Sequence, residues 1–135
     1  MTGKFYFDTS IWIDIYDKRG YNGEVAMLLV KKIIFEDSIV LYYDVSIKEL
    51  KHVGYSEEEI NTLLRILKPN NIKRIHSTKE QREEAKRIAT LRNVPKGDAL
   101  HAIVARDNDA QFISRDKDFD QLKDVTKTKL PENFI

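Results

Sequence analysis

Residues 4–13 read Lys4-Phe5-Tyr6-Phe7-Asp8-Thr9-Ser10-Ile11-Trp12-Ile13. A short β-prone run ends on an acid, and Asp8-Thr9-Ser10 are residue types that favour the start of a helix. A strand that enters a helix through one acidic residue opens an alternating β/α chain, and the rest of the sequence repeats the pattern. The first helix is expected from about Ser10 to Asp17, stopping at Arg19-Gly20. A second begins near Gly23-Glu24, with Val25, Leu28, Leu29, Lys32 and Ile33 at helical spacing, so that Gly20 and Gly23 mark the turn between the two.

Ser38–Tyr43 (SIVLYY) is compact, apolar and β-branched, as expected of a strand buried on both faces of a parallel sheet. Asp44-Val45-Ser46 restarts a helix that carries Glu49, with Leu50 and Val53 continuing its apolar stripe to Gly54. Ser56-Glu57-Glu58-Glu59 caps a further helix ending before Pro69. Ile72–Ile75 is a third strand. A polar helix follows from Thr78 to Leu91, with Ala85, Ile88, Ala89 and Leu91 on its inner face. Beyond the turn Asn93-Val94-Pro95-Lys96-Gly97, another runs from Asp98 to Arg106. Gln111–Ser114 is a fourth strand and Val125–Thr128 a fifth. Strands alternating with helices imply an α/β fold, a three-layer α/β/α sandwich around a central, mainly parallel sheet of four to five strands. Residues 1–135 are expected to form a single domain.

Composition narrows the function classes. Apolar residues are 41% and charged residues 33% of the 135, the mixture of a globular chain and not of a disordered one. With 23 Lys+Arg against 22 Asp+Glu the net charge is +1, so affinity for a polyanion has to come from a local patch. The absence of cysteine excludes disulfides, thiolate zinc sites and a cysteine nucleophile, and fits a reducing compartment. The N-terminal segment lacks the pattern of a signal peptide, and no stretch approaches the ~20 apolar residues of a membrane span. The expected location is the cytoplasm, with no membrane partner.

Four acids occupy equivalent places in this scheme. Asp8 follows the first strand, Glu49 sits in the helix after the second, Asp98 opens a helix after a glycine turn, and Asp116 follows the fourth strand. In open parallel sheets, ligands bind outside the carboxyl ends of the strands, where strand order reverses. Carboxylates gathered there repel one another unless a cation neutralises them, and an oxygen-only donor set points to Mg²⁺ or Mn²⁺ over zinc. Taken singly, Asp8, Asp98 and Asp116 also read as helix caps and Glu49 as a solvated helix residue. The convergence of all four carries the metal reading.

Phe7-Asp8-Thr9-Ser10 with Ile11, Trp12 and Ile13, then Ser46-x-x-Glu49-Leu50, then Gly97-Asp98-Ala99-x-x-Ala102, then Ile113-Ser114-x-Asp116-x-Asp118-Phe119 together resemble the four motifs of PIN domains. They run in order from residue 7 to 119. The resemblance implies a metal-dependent endoribonuclease in which Asp8, Glu49, Asp98 and Asp116 are the catalytic, metal-binding acids. Ser10 and Ser114 fall at hydroxyl positions that orient the acids or a phosphate, Ser114 standing where many members have Thr. As a single domain, the chain is similar to the VapC-type toxins of VapBC toxin–antitoxin pairs. That implies an RNA substrate, a small antitoxin partner and a homodimer. A housekeeping RNA-processing nuclease and an inert RNA-binding or scaffolding module are the alternatives. A phosphatase or phospho-aspartate receiver is disfavoured, because Ser10 stands where the first would need an acid and no acidic pair precedes the first helix.

Several neighbours carry secondary expectations. Asp118 is a further candidate ligand, since in extended structure it would share a side with Asp116. Asp14 and Asp120 read as surface acids, His101 as a packing or surface residue within reach of the pocket, and Trp12 as core. His52 and His76 have no partner motif. Lys48, Lys51, Arg106 and Arg115 border the acids as candidate phosphate contacts.

Overall fold

A computed structural model describes residues 3–18 and 20–135. Five strands, β1 (Lys4–Phe7), β2 (Ile39–Tyr42), β3 (Ile72–Arg74), β4 (Gln111–Ile113) and β5 (Thr128–Lys129), form one sheet in the order β3-β2-β1-β4-β5. Every pairing is parallel, with Tyr6 level with Leu41 on one side and with Phe112 on the other. Between them run α1 (Thr9–Asp17), α2 (Gly20–Phe35), α3 (Asp44–His52), α4 (Glu57–Leu64), α5 (Lys79–Arg92) and α6 (Lys96–Asp107), with 3-10 turns at Pro69–Asn71, Lys117–Leu122 and Pro131–Phe134.

Successive strand residues point to opposite faces, and the two faces carry separate cores. Phe7, Val40 and Ile113 pack with Ile11, Trp12, Leu29, Ile33, Leu50 and Leu63 from α1–α4. Their neighbours Tyr6, Leu41 and Phe112 pack on the other face against α5 and α6. In α6 every residue from Ala99 to Ala105 is buried, three of the seven being alanines whose small side chains let the helix lie close to the sheet. The α/β/α sandwich with a parallel five-stranded sheet is therefore the fold. Among the described residues no helix is long and apolar enough to cross a membrane.

Some boundaries and faces differ from the sequence reading. α2 begins at Gly20, whose φ of 64° places the turn there, and Gly23 lies inside the helix. A Cβ on Gly23 would stand 2.7 Å from the carbonyl carbon of Lys18, so this glycine permits α1 and α2 to meet and does not make the turn. α6 starts two residues before Asp98, because the turn ends at Pro95. The fifth strand is Thr128–Lys129, since the amides of Val125 and Thr126 fold back onto the Leu122 carbonyl. Val53 and Leu91, read as part of apolar faces, are 57% and 87% exposed, and Leu28 is 50% exposed. Leu28 lies one heptad from Tyr21 and one from Phe35, both also exposed, so α2 carries an apolar stripe on its outer face.

Candidate active site

Strand order reverses between β1 and β4, and the side chains of interest gather in that crevice at the carboxyl edge. No loop separates β1 from α1. Asp8 leaves the ladder with its amide still bonded to the Ile113 carbonyl at 3.0 Å and at once caps α1, its Oδ1 accepting from the Thr9 amide at 2.8 Å. Its Oδ2 accepts from the hydroxyls of Ser10 at 2.9 Å and Ser114 at 3.0 Å. The Ser114 hydroxyl also accepts from the Asp116 amide at 3.0 Å, so this one oxygen ties the end of β4 to the end of β1. Both serines thus orient Asp8, which is 8% exposed.

Asp116 caps the 3-10 turn after β4, accepting from the Asp118 amide at 2.9 Å. Asp118 lies in that 3-10 turn and not in the extended structure expected for it, and like Asp116 it is exposed. The cap reading of Asp8 and Asp116 therefore holds alongside any ligand role.

Glu49 is held from two directions. The Thr9 hydroxyl donates to Oε2 at 3.2 Å, and His101 Nε2 bonds Oε1. The other ring nitrogen of His101 bonds the Tyr6 hydroxyl. The histidine is 1% exposed, with Tyr6, Tyr43 and Phe112 around its ring. Burial pushes the Glu49 carboxyl up, but the hydrogen bond and charge of His101 and the Thr9 hydroxyl outweigh it and hold it below its ordinary value. His101 is thus neither surface nor mere packing: it buttresses Glu49. Its spacing of three from Asp98, on one helix face, was the available signal; Thr9 and Tyr6 left none beyond the motif itself.

Asp98 is placed differently. It lies in the first turn of α6 and caps nothing; among the described residues none donates a hydrogen bond to its carboxylate. Burial first, then the charges of Asp116, Asp8 and Glu49, outweigh the pull of His101 and push its pKa up to about 6. Asp98 therefore senses the other three acids, a condition that a cation relieves. Among the described residues no three acids or histidines stand close enough to enclose an ion directly. The donor chemistry, all oxygen, is the kind that suits Mg²⁺ or Mn²⁺.

The surrounding groups are mostly committed. Arg115 pairs with Glu132 at 2.7 Å and approaches Asp14 at 4.0 Å, which leaves Asp14 half-buried, while Arg106 pairs with Glu84 and Asp107 at 2.8 Å each. Trp12 is buried in the core, and Asp120, His52, His76, Lys48 and Lys51 are exposed.

A carboxylate-bearing crevice at the switch point of a parallel sheet defines a class of α/β proteins whose ligands bind at the carboxyl edge. Within it, residues 5–125 match the PIN domain family model, and the chain belongs to that family. Solved structures with the same fold include VapBC2 from Rickettsia felis bound to a DNA fragment from its promoter, at 15% identity and a TM-score of 0.62, covering 94% of this chain and 96% of that one. PAE2754 from Pyrobaculum aerophilum follows at 17% identity and 0.58, covering 99% and 95%. FitAcB from Neisseria gonorrhoeae stands at 13% and 0.59, covering 95% and 98%. No curated protein matches the sequence.

Proposed function

We propose that the chain is a metal-dependent endoribonuclease and the toxin component of a toxin–antitoxin pair. The observation that carries the nuclease reading is Asp98, a half-buried carboxylate without a donor among the described residues and raised in pKa by burial and by three other acids. Asp8, Glu49, Asp98 and Asp116 are the residues that would hold Mg²⁺ or Mn²⁺. Bound there, such an ion would supply positive charge to activate water and to balance charge on the phosphate. The chain's own work is positional. Ser10 and Ser114 fix Asp8, Thr9 and His101 fix Glu49, and the 3-10 turn fixes Asp116. No side chain among them is needed as a nucleophile.

The toxin role is supported by the family and by the likeness in fold to the Rickettsia felis VapBC2 and Neisseria FitAcB structures. An antitoxin suited to this crevice would insert Arg or Lys among the acids, since a bidentate guanidinium matches carboxylates and replaces the ion's charge. The apolar stripe Tyr21, Leu28 and Phe35 on α2 supports a homodimer, and the absence of cysteine supports action in the cytoplasm.

Cleavage of single-stranded RNA by purified protein should require added Mg²⁺ or Mn²⁺, stop with EDTA, and be lost in Asp8→Asn. Cleavage undiminished in EDTA, by protein free of contaminating nuclease, rejects the metal reading. Induced expression in a foreign host should arrest growth unless Asp8 is Asn or the antitoxin is co-expressed. Normal growth with soluble, active enzyme leaves a housekeeping nuclease. Folded protein that binds RNA but never cuts it leaves an inert module.

A further inference from the structure

Cavities lie on both sides of the crevice, and their linings differ. On the β4–β5 side Lys117 and Lys129 share the lining with two acids, Asp116 and Asp120, and Arg115 is held by Glu132. On the β2–β3 side lies a cavity of about 410 Å³ lined by Tyr43, Lys48, His76, Ser77 and Arg82, within the range of ligand pockets. Its one acid, Asp44, is occupied by Arg74 from outside the lining. Arg82 has no carboxylate partner among the described residues; its guanidinium is aimed by the Ser77 carbonyl and hydroxyl at 2.9 and 3.0 Å. Lys48 belongs to two cavities at once, because it also lines a second one of about 410 Å³ whose wall includes Thr9 and Glu49. Taken together as one groove, the two cavities, which share Lys48, set Lys48 and Arg82 on a path that starts at Glu49.

Resting on the nuclease reading, we infer that this groove is the track of the substrate strand. The RNA leaves the scissile phosphate over α3 toward β3, with neighbouring phosphates on Lys48 and Arg82 and His76 at the rim. The opposite side, where two acids line the cavity beside the lysines, is not the main seat. Phosphate contacts supply affinity and leave the chemistry unchanged, so these residues should govern binding and not the cutting step.

The test is fluorescence anisotropy of the full chain with a 5′-labelled single-stranded oligoribonucleotide in EDTA, over a range of salt, beside steady-state cleavage in Mn²⁺. Lys48→Gln/Arg82→Gln should bind at least tenfold more weakly. The slope of log affinity against log salt should fall by about 1.4, at ~0.7 per phosphate contact on a single strand. Its KM should rise with kcat within about twofold of wild type. Lys117→Gln/Lys129→Gln should stay within about twofold in binding. Thermal melting checks that both are folded, and should the double variant fail, Lys48→Gln alone carries the test with about half the slope change. Equal losses in both pairs, or an unchanged salt slope in the first, overturn the track. So does tighter binding of a polyglutamate peptide than of RNA, which would make the groove a seat for an acidic protein segment. If wild type cuts RNA while Lys48→Gln/Arg82→Gln binds normally, the track alone falls; if wild type neither binds nor cuts RNA, the nuclease reading falls first.

Discussion

Asp98 and Glu49 sit in one crevice and are shifted in opposite directions, and each shift has its own consequence for stability. For Asp98 the folded value of about 6 lies above the ~3.9 of an unfolded aspartate, so the native state binds more protons over that window. Stability is lost as pH rises from about 4 to about 6. Asp98→Asn removes that loss: without added metal, its melting temperature should match wild type near pH 4 and exceed it above pH 6, while cleavage is abolished. A variant less stable at neutral pH, with cleavage intact, would make Asp98 a structural residue. Glu49 is the reverse case. Its depressed carboxyl contributes stability present above the unfolded value and lost as pH falls through the folded one. Much of that rests on His101, which joins Glu49 to the buried Tyr6 hydroxyl. His101→Ala leaves both groups without this partner and should cost about 1–3 kcal/mol in urea unfolding. It should also weaken Mn²⁺ binding measured by calorimetry, with His101→Gln recovering part of both.

At the scale of elements, the junction of α1 and α2 is the place where one atom decides. Alanine is the better helix former by ~1 kcal/mol, yet Gly23→Ala should destabilise by about 1–3 kcal/mol, because its Cβ meets the Lys18 backbone and not a side chain that can swing away. An unchanged denaturation midpoint would show that the helices can part without cost. α4 starts at a complete capping box, with Ser56 and Glu59 exchanging hydrogen bonds at 3.1 and 2.9 Å. Ser56→Ala should cost about 1 kcal/mol by the same measurement. That box was legible because Ser56 and Glu59 lie within one turn, as were the strands, whose alternation is local. Leu91 and Val53 were misread because periodicity identifies an apolar face but not whether anything covers it. Asp98 looked like a helix opener because Gly97 reads as a breaker, whereas the chain turns earlier, at Asn93–Pro95. The pairing of His101 with Glu49 joins two helices 52 residues apart, and nothing in either segment announces the other. The four acids were grouped in the sequence because a parallel sheet sends the ends of its strands to one edge and because the motifs around them resemble those of PIN domains.

For the molecule as a whole, a cation bound to the native state alone should stabilise it by mass action, about 2.7 kcal/mol at a hundredfold excess over its Kd. Mn²⁺ should therefore raise the melting temperature of wild type and leave Asp8→Asn and Asp98→Asn nearly unmoved. An equal rise in all three would mean that the ion binds elsewhere. The sheet order carries a further consequence, in time instead of space. β1 is synthesised first but lies in the middle of the sheet, and its second neighbour, β4, comes about a hundred residues later. The hydrogen bond from Ser114 to Asp8 closes a span of 106 residues, and Asp116 arrives with it. Synthesis proceeds from the N-terminus, and distant pairings form slowly. A chain emerging from the ribosome thus carries Asp8 and Glu49 before the rest of the crevice exists. On the nuclease reading, the acids come together only once β4 pairs with β1, so a nascent polypeptide that lacks Asp98 and Asp116 would pass the RNA beside it without cutting it.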